Sequence, residues 1–304
     1  MKSALRLENE ALELTLLPTQ GGRIWEITQK ATSDAPKKQW LWHNPQADSC
    51  KIAPGASYDD NWVGGWDDLF PNDSEGLWQG LDLPDHGEIW SMPWVVTSKT
   101  QNSVTLLCEG RALDYSIEKS ITLGKKNSFS VQYRLESRLK KEHDLLFKLH
   151  PAFAIEPGDR IELPGFDSGP WIEPVDLTFS SIIGDAQPSK WPYVQNKKGA
   201  RTDLGLIPHR ESPEREFYYV KDLKEGWVQL HAKTGHKLKL TFPLEFFPSF
   251  WVFMDWGKWR GYHVVVLEPC TNYPKDLQTA ASNGTCLKLK PGQKLEFSVQ
   301  VEVW

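Results

Sequence analysis

Period-two alternation constrains this chain more than any other feature. In Lys294–Val303, the residues Leu295, Phe297, Val299, Val301 and Val303 alternate with Glu296, Ser298, Gln300 and Glu302. A strand turns successive side chains to opposite faces, so one set is buried and the other meets solvent or a second layer. Phe129, Val131, Tyr133 and Leu135 repeat the pattern against Ser130, Gln132, Arg134 and Glu136. Residues 12–17, 104–108, 115–123, 227–231 and 237–242 read the same way. Turn signals stand between them at Gly21-Gly22, Gly124-Lys125-Lys126-Asn127, Asn283-Gly284 and Pro291-Gly292. Asn283-Gly284 predicts a hairpin turn, because both residue types tolerate positive φ. Helical character is confined to a turn or two within 273–281. The expectation is an all-β, antiparallel sandwich or barrel. The absence of a fixed-period repeat argues against a propeller or solenoid.

The 304 residues show no linker, and a β sandwich of this size is compatible with one domain over 1–304. Two regions, 34–85 and 165–216, are rich in Pro and Gly and poor in alternation. They hold charged and aromatic residues, as site-bearing loops on a β scaffold do. The charge balance argues against a nucleic-acid binder held by counterion release, with 35 Lys+Arg against 40 Asp+Glu and a net charge of −5. No run approaches the roughly 18 apolar residues of a membrane helix. The N-terminal residues lack an apolar stretch after Lys2, so no secretory signal is expected. Cys50, Cys108, Cys270 and Cys286 have no paired spacing, and a reduced, cytoplasmic setting follows as the simplest expectation. The chain carries 15 Trp, 13 Phe and 8 Tyr. Most must pack in the core. Others are suited to a cleft where a flat apolar face meets a polar ligand, as a sugar requires.

The usual signatures for nucleotide, serine-hydrolase, zincin and EF-hand chemistry are absent, and the histidines show no metal-ligand spacing. His231 and His236 are poorly placed to share one ion. Three patterns stand out instead. Asp85-His86-Gly87-Glu88-Ile89-Trp90 follows Gly65-Trp66-Asp67-Asp68. An apolar run ends on His150-Pro151 and another on Glu268-Pro269, which predicts an ionisable group where each strand stops. Burial beside Val264-Val265-Val266-Leu267 raises a carboxyl toward a useful base, and a His titrates near neutrality. Acid and base across a cleft suffice to move protons on a small polar molecule. Taken singly, each of these residues is more often a structural group, and periodicity does not bring His150 to Glu268.

The same residues resemble the aldose 1-epimerase, or galactose mutarotase-like, superfamily, in order along most of the chain. Leu14 to Ile24 is similar to its opening strand and glycine turn, and Asp85-His86-Gly87-Glu88 to its His-Gly loop. His150-Pro151-Ala152-Phe153 with residues 157–164 resembles its central strand and hairpin. Glu268-Pro269-Cys270-Thr271 resembles its Glu-Pro segment, and Leu289-Lys290-Pro291-Gly292-Gln293 its closing turn. The resemblance implies a large antiparallel supersandwich and cofactor-independent, metal-free interconversion of α and β anomers of an aldose or aldose derivative. Glu268 would be the general base on the anomeric hydroxyl, His150 the general acid at the ring oxygen, and His86 a sugar ligand. The Arg that many members carry after the His-Gly pair is absent. Asp67, Glu88, Lys148 and Trp90 are therefore the candidate cleft-wall residues, and Lys148 would suit an acidic or phosphorylated sugar. The alternatives are a non-catalytic sugar-binding protein on the same scaffold and, last, a glycoside hydrolase or lyase using Asp59-Asp60 or Asp67-Asp68. Neighbouring strand residues face opposite ways, which disfavours either pair.

Overall fold

The computed structural model describes residues 4–33, 35–47, 52–165, 169–209 and 213–304. Cys50, and Asp34 at the start of the first loop region, lie outside them. The alternating segments form two large antiparallel sheets. The first has eleven strands, in the order Leu5–Glu8, Leu12–Leu17, Arg23–Gln29, Trp66–Leu69, Lys148–Ala154, His263–Cys270, Ser249–Trp256, Glu214–Lys221, Trp171–Pro174 and Ser189–Lys190, with Lys38–Gln39 paired to Arg23–Gln29. The second has eight, in the order Arg160–Glu162, Trp227–His231, Lys237–Thr241, Lys294–Val303, Ser128–Ser137, Tyr115–Leu123, Ser103–Glu109 and Val95–Lys99.

The facing sides of the sheets share one core. Leu14, Ile24, Phe153, Val252 and Leu267 from the first pack with Ile117, Val131, Leu240 and Val299 from the second. Burying such apolar surface yields about 25 cal/mol per Å², and it is the main force holding the layers together. One polar tie crosses the core. Lys119 falls on the buried side of Tyr115–Leu123, where the pattern calls for an apolar residue, and its Nζ lies 2.7 Å from Asp68 Oδ2. Tyr133 Oη donates to Asp68 Oδ1 at 2.9 Å. The three groups satisfy one another away from water, as buried charge requires.

Several expectations are corrected here. His150-Pro151 and Glu268-Pro269 do not end strands but lie inside Lys148–Ala154 and His263–Cys270. Pairing between these two strands is recorded at Lys148↔Cys270 and again from Ala152↔Val266 to Ala154↔Val264. The prolines, which lack an N–H, fall in the intervening gap. Asn283-Gly284 is not a hairpin turn; it closes the helix Leu277–Asn283, with Gly284 at φ 71° donating to Ala280 and Ala281 carbonyls. That helix starts later than the 273–281 pattern suggests, because Asp276 caps it by accepting from the Thr279 N–H. The region 34–85 also supplies a central strand, Trp66–Leu69. It is buried on both faces, so it shows no alternation, and its two aspartates carry buried ion pairs on opposite sides.

Candidate active site

The unbroken register across the proline gap sets His150 opposite Glu268, on the face of the first sheet turned away from the second. Lys148 occupies the next outward-facing position on the same strand as His150. Asp67 pairs with His150 on one flank, and Trp251 pairs with Glu268 on the other. His150 Nε2 lies 3.9 Å from Glu268 Oε1. Lys148 Nζ lies 2.7 Å from Glu268 Oε2 and 2.5 Å from Asp73 Oδ1, above the Trp251 ring at 4.4 Å. The contact to Glu268 is an ion pair outside good hydrogen-bond alignment, so Oε2 has no well-directed donor.

The loops build the rest. A short helix, Tyr58–Asn61, carries Tyr58 over the sheet. Its hydroxyl donates to Asp67 Oδ2 at 3.0 Å and lies 2.9 Å from His150 Nδ1. Asp67 in turn accepts from Arg23 Nε at 2.5 Å. The Tyr58 backbone N–H donates to Asp85 Oδ2 at 2.7 Å, and Asp85 Oδ1 is 2.6 Å from His86 Nδ1. The His86 ring stacks on Tyr58 at 4.2 Å. His86 sits at φ 57°, followed by Gly87 at φ 72°. A Cβ on Gly87 would come within 2.3 Å of the Phe70 carbonyl oxygen, so glycine is required for the loop to press against the backbone at Phe70.

Burial dominates the electrostatics. It raises the Glu268 carboxyl above its ordinary range, which the Lys148 charge offsets only in part. Burial, with the charges of Lys148 and then His86, holds the His150 imidazole well below its ordinary value. Burial would also lower Lys148, but Asp73 and Glu268 outweigh it and keep the ammonium charged. Burial opposes ionisation of Asp73 as well, yet Lys148 and His86 hold its carboxyl below the usual range.

These groups surround a cavity of about 400 Å³. His86, Lys148, His150 and Glu268 line it, together with Tyr58, Asp73 and Asp85. Half-buried Phe179, Phe217, Phe253 and Trp259 line it too. Sequence reasoning missed Tyr58, Asp73 and Asp85, which come from segments without periodicity; Asp85 was quoted only as part of the His-Gly motif. Three candidates for the cleft wall are corrected. Asp67 is fully buried between Arg23 and Tyr58. Glu88 turns away, accepting from the Arg111 and Ala112 backbone N–H groups and from Tyr115 Oη. Trp90 has no exposed surface and donates Nε1 to the Asp85 and Gly87 carbonyls beneath the loop. Lys148 does line the cavity, but two carboxylates already take up its charge. Among the described residues, the lining holds six carboxylates, from Asp59, Asp73, Glu75, Asp85, Asp176 and Glu268, against Lys148 and Lys275 and no Arg. That composition opposes an acidic or phosphorylated ligand. Elsewhere, His231 pairs with Glu162, and His236 contacts the Pro36 carbonyl. Among the described residues, no three His, Cys, Asp or Glu side chains converge to hold a metal, and no helix is long and apolar enough to cross a membrane.

Comparison with solved structures places the architecture. The chain aligns over 99% of its length, at a TM-score of 0.73 and 15% identity, with 99% of a proposed aldose 1-epimerase from Escherichia coli K12. It aligns equally fully with the whole of a galactose mutarotase-like protein from Lactobacillus casei, at a TM-score of 0.72 and 15% identity. This chain has the galactose mutarotase-like fold. A further protein of that fold, from Clostridium acetobutylicum, matches 99% of this chain and 95% of its own at a TM-score of 0.67 and 15% identity. No family model and no curated protein matches the sequence. At such identities the likeness extends to the mutarotase-like sandwich and leaves the chemistry to be argued from the cavity.

Proposed function

We propose that one domain spanning this chain is a cofactor-independent carbohydrate mutarotase of the cytoplasm, interconverting α and β anomers by acid/base ring opening. The observation that carries the reading is the facing pair, His150 Nε2 and Glu268 Oε1, 3.9 Å apart at the wall of an open cavity. Glu268 takes the proton of the anomeric hydroxyl while His150, acting as the imidazolium with both ring nitrogens protonated, delivers one from Nε2 to the ring oxygen, and the C1–O5 bond breaks to leave a carbonyl. Rotation about C1–C2 and closure on the other face return both protons. From the sequence, the two groups are expected to stand about a pyranose-ring width apart; at 3.9 Å they are closer, and they can still serve both reacting oxygens because these sit on one carbon. His86 supplies a polar contact, and the half-buried aromatic rings offer a surface to the C–H face of the sugar. With carboxylates in excess around the cavity, the substrate is an uncharged aldose.

Polarimetry of freshly dissolved α anomers, comparing free sugars with their phosphates, tests this. Faster decay of rotation for a free sugar supports the proposal, and acceleration confined to phosphates counts against it. A non-catalytic sugar-binding protein is the second reading. The Lys148 ion pair favours it, because a neighbouring cation makes Glu268 a weaker base. Saturable sugar binding without any change in decay would select that reading.

A further inference from the structure

The path behind His150 is unusual for a group that faces a ligand cavity. Arg23, Asp67 and Tyr58 are buried, with relative exposures of 0%, 0% and 2%. Together they form a hydrogen-bonded chain from Arg23 Nε through Asp67 and the Tyr58 hydroxyl to His150 Nδ1. Arginine cannot shed its charge, and Nη1 and Nη2 of Arg23 have no hydrogen-bond partner. The guanidinium therefore requires Asp67 as its ionised counter-charge. An ionised carboxylate only accepts, so the single Tyr58 proton goes to Asp67 and the phenol oxygen has only lone pairs to offer His150. The imidazole nitrogen beside it must carry the hydrogen.

We infer that the Arg23–Asp67–Tyr58 chain is a positioning relay that holds His150 as the Nδ1–H tautomer and leaves Nε2 as the one nitrogen that exchanges protons with the ligand. A carboxylate plays this part in a Ser-His-Asp triad; here a phenol stands between the carboxylate and the ring. Tyr58 and Trp62 pack edge-on to His150, with centroids at 5.3 and 5.8 Å, and His86 lies at 6.4 Å. Lys148 and Glu268 face it from the sheet. Among the described residues, the hydrogen bond with Tyr58 is the only one recorded between Nδ1 and another side chain. The inference rests on the mutarotase reading only for its effect on rate. The tautomer itself is a property of the resting protein.

The test is ¹⁵N NMR of the full chain labelled at histidine, with His150→Gln used to identify the His150 signals. In the neutral ring, protonated and bare nitrogens resonate far apart. The expected wild-type spectrum has a protonated Nδ1 and a bare Nε2. Tyr58→Phe should move His150 to Nε2–H or to a mixture, and should lower kcat for anomer exchange about tenfold with KM nearly unchanged. A wild-type Nε2–H tautomer overturns the inference, as does a Tyr58→Phe spectrum that keeps Nδ1–H. A shifted tautomer with unchanged kcat overturns the relay's role. If Tyr58→Phe does not fold, the wild-type spectrum alone decides the tautomer. Absence of anomer exchange in wild type, beside the expected tautomer, counts against the mutarotase proposal and leaves the relay standing.

Discussion

Lys148→Met should expose how strongly the site's charges depend on one another. The ammonium stands 2.5 Å from Asp73 and 2.7 Å from Glu268, with side-chain exposures of 2%, 7% and 1%. At an effective dielectric near 20, each contact is worth roughly 6 kcal/mol before desolvation is subtracted. Methionine recovers the desolvation of the lysine but strands two carboxylates in a dry site. Breaking a buried pair in this way costs about 3–5 kcal/mol at neutral pH. The sign of the pH dependence follows from the two acids. Lys148 now holds Asp73 below its ordinary range, so Asp73 contributes stability that is lost as pH falls. Without the cation, Asp73 and Glu268 both sit above their unfolded values. Their protonation then favours the folded variant below the unfolded pKa, and that benefit disappears as pH rises through the folded value. Urea unfolding at several pH values should therefore show the deficit of the variant shrinking on acidification from pH 7 to 5. The expected slope is about 1.4 kcal/mol per pH unit for each extra proton bound. A deficit independent of pH would refute the electrostatic argument and reduce Lys148 to a packing residue over Trp251.

Three further outcomes follow from the same geometry. Glu268→Gln should lower anomer exchange by at least about 100-fold while sugar still binds by calorimetry; exchange at the wild-type rate would remove Glu268 from the mechanism. Trp90→Ala, in a buried position, should destabilise the protein by about 3–5 kcal/mol in denaturant titration, whereas Trp259→Ala, on the half-exposed cavity wall, should weaken sugar binding with little change in stability. Equal stability losses in the two would contradict the placement of these rings. The acid limb of kcat/KM should fall below pH 6.5, because burial depresses His150 and a doubly protonated His150–Glu268 pair has no base; an acid limb above about 6.5 would contradict that assignment.

The parts legible in the sequence are those where one physical demand acts on a segment. Lys294–Val303 and Tyr115–Leu123 each have one buried face, so alternation alone reveals them. Trp66–Leu69 is buried on both faces and carries two aspartates, so it has no pattern to read, although it holds the strand beside His150. Lys119 is a signal that the sequence reading leaves unused: a cation on a buried face demands an acid opposite, but nothing local identifies Asp68. The same applies at the site. His150 and Glu268 stand out at Pro-flanked ends of apolar runs, while their opposition depends on a strand register set by the 117 intervening residues. Asp67 and Glu88 are expected at the cavity in place of the missing Arg, and Trp90 as an aromatic of the His-Gly loop. A loop with His86 and Gly87 at positive φ reverses direction and sends Glu88 and Trp90 inward. Tyr58, at the start of its short helix, and Asp73, on a loop, reach the cavity on segments whose course depends on tertiary packing.

The central claim is that His150 and Glu268 move protons on a sugar. NMR exchange spectroscopy between α and β anomers, across free, acidic and phosphorylated aldoses, addresses it most directly when wild type is run beside the His150→Ala, Glu268→Gln double variant. The account predicts accelerated exchange for an uncharged aldose, abolished in the double variant. Acceleration that survives in the double variant, or line broadening from binding with no exchange in wild type for any sugar, would contradict it.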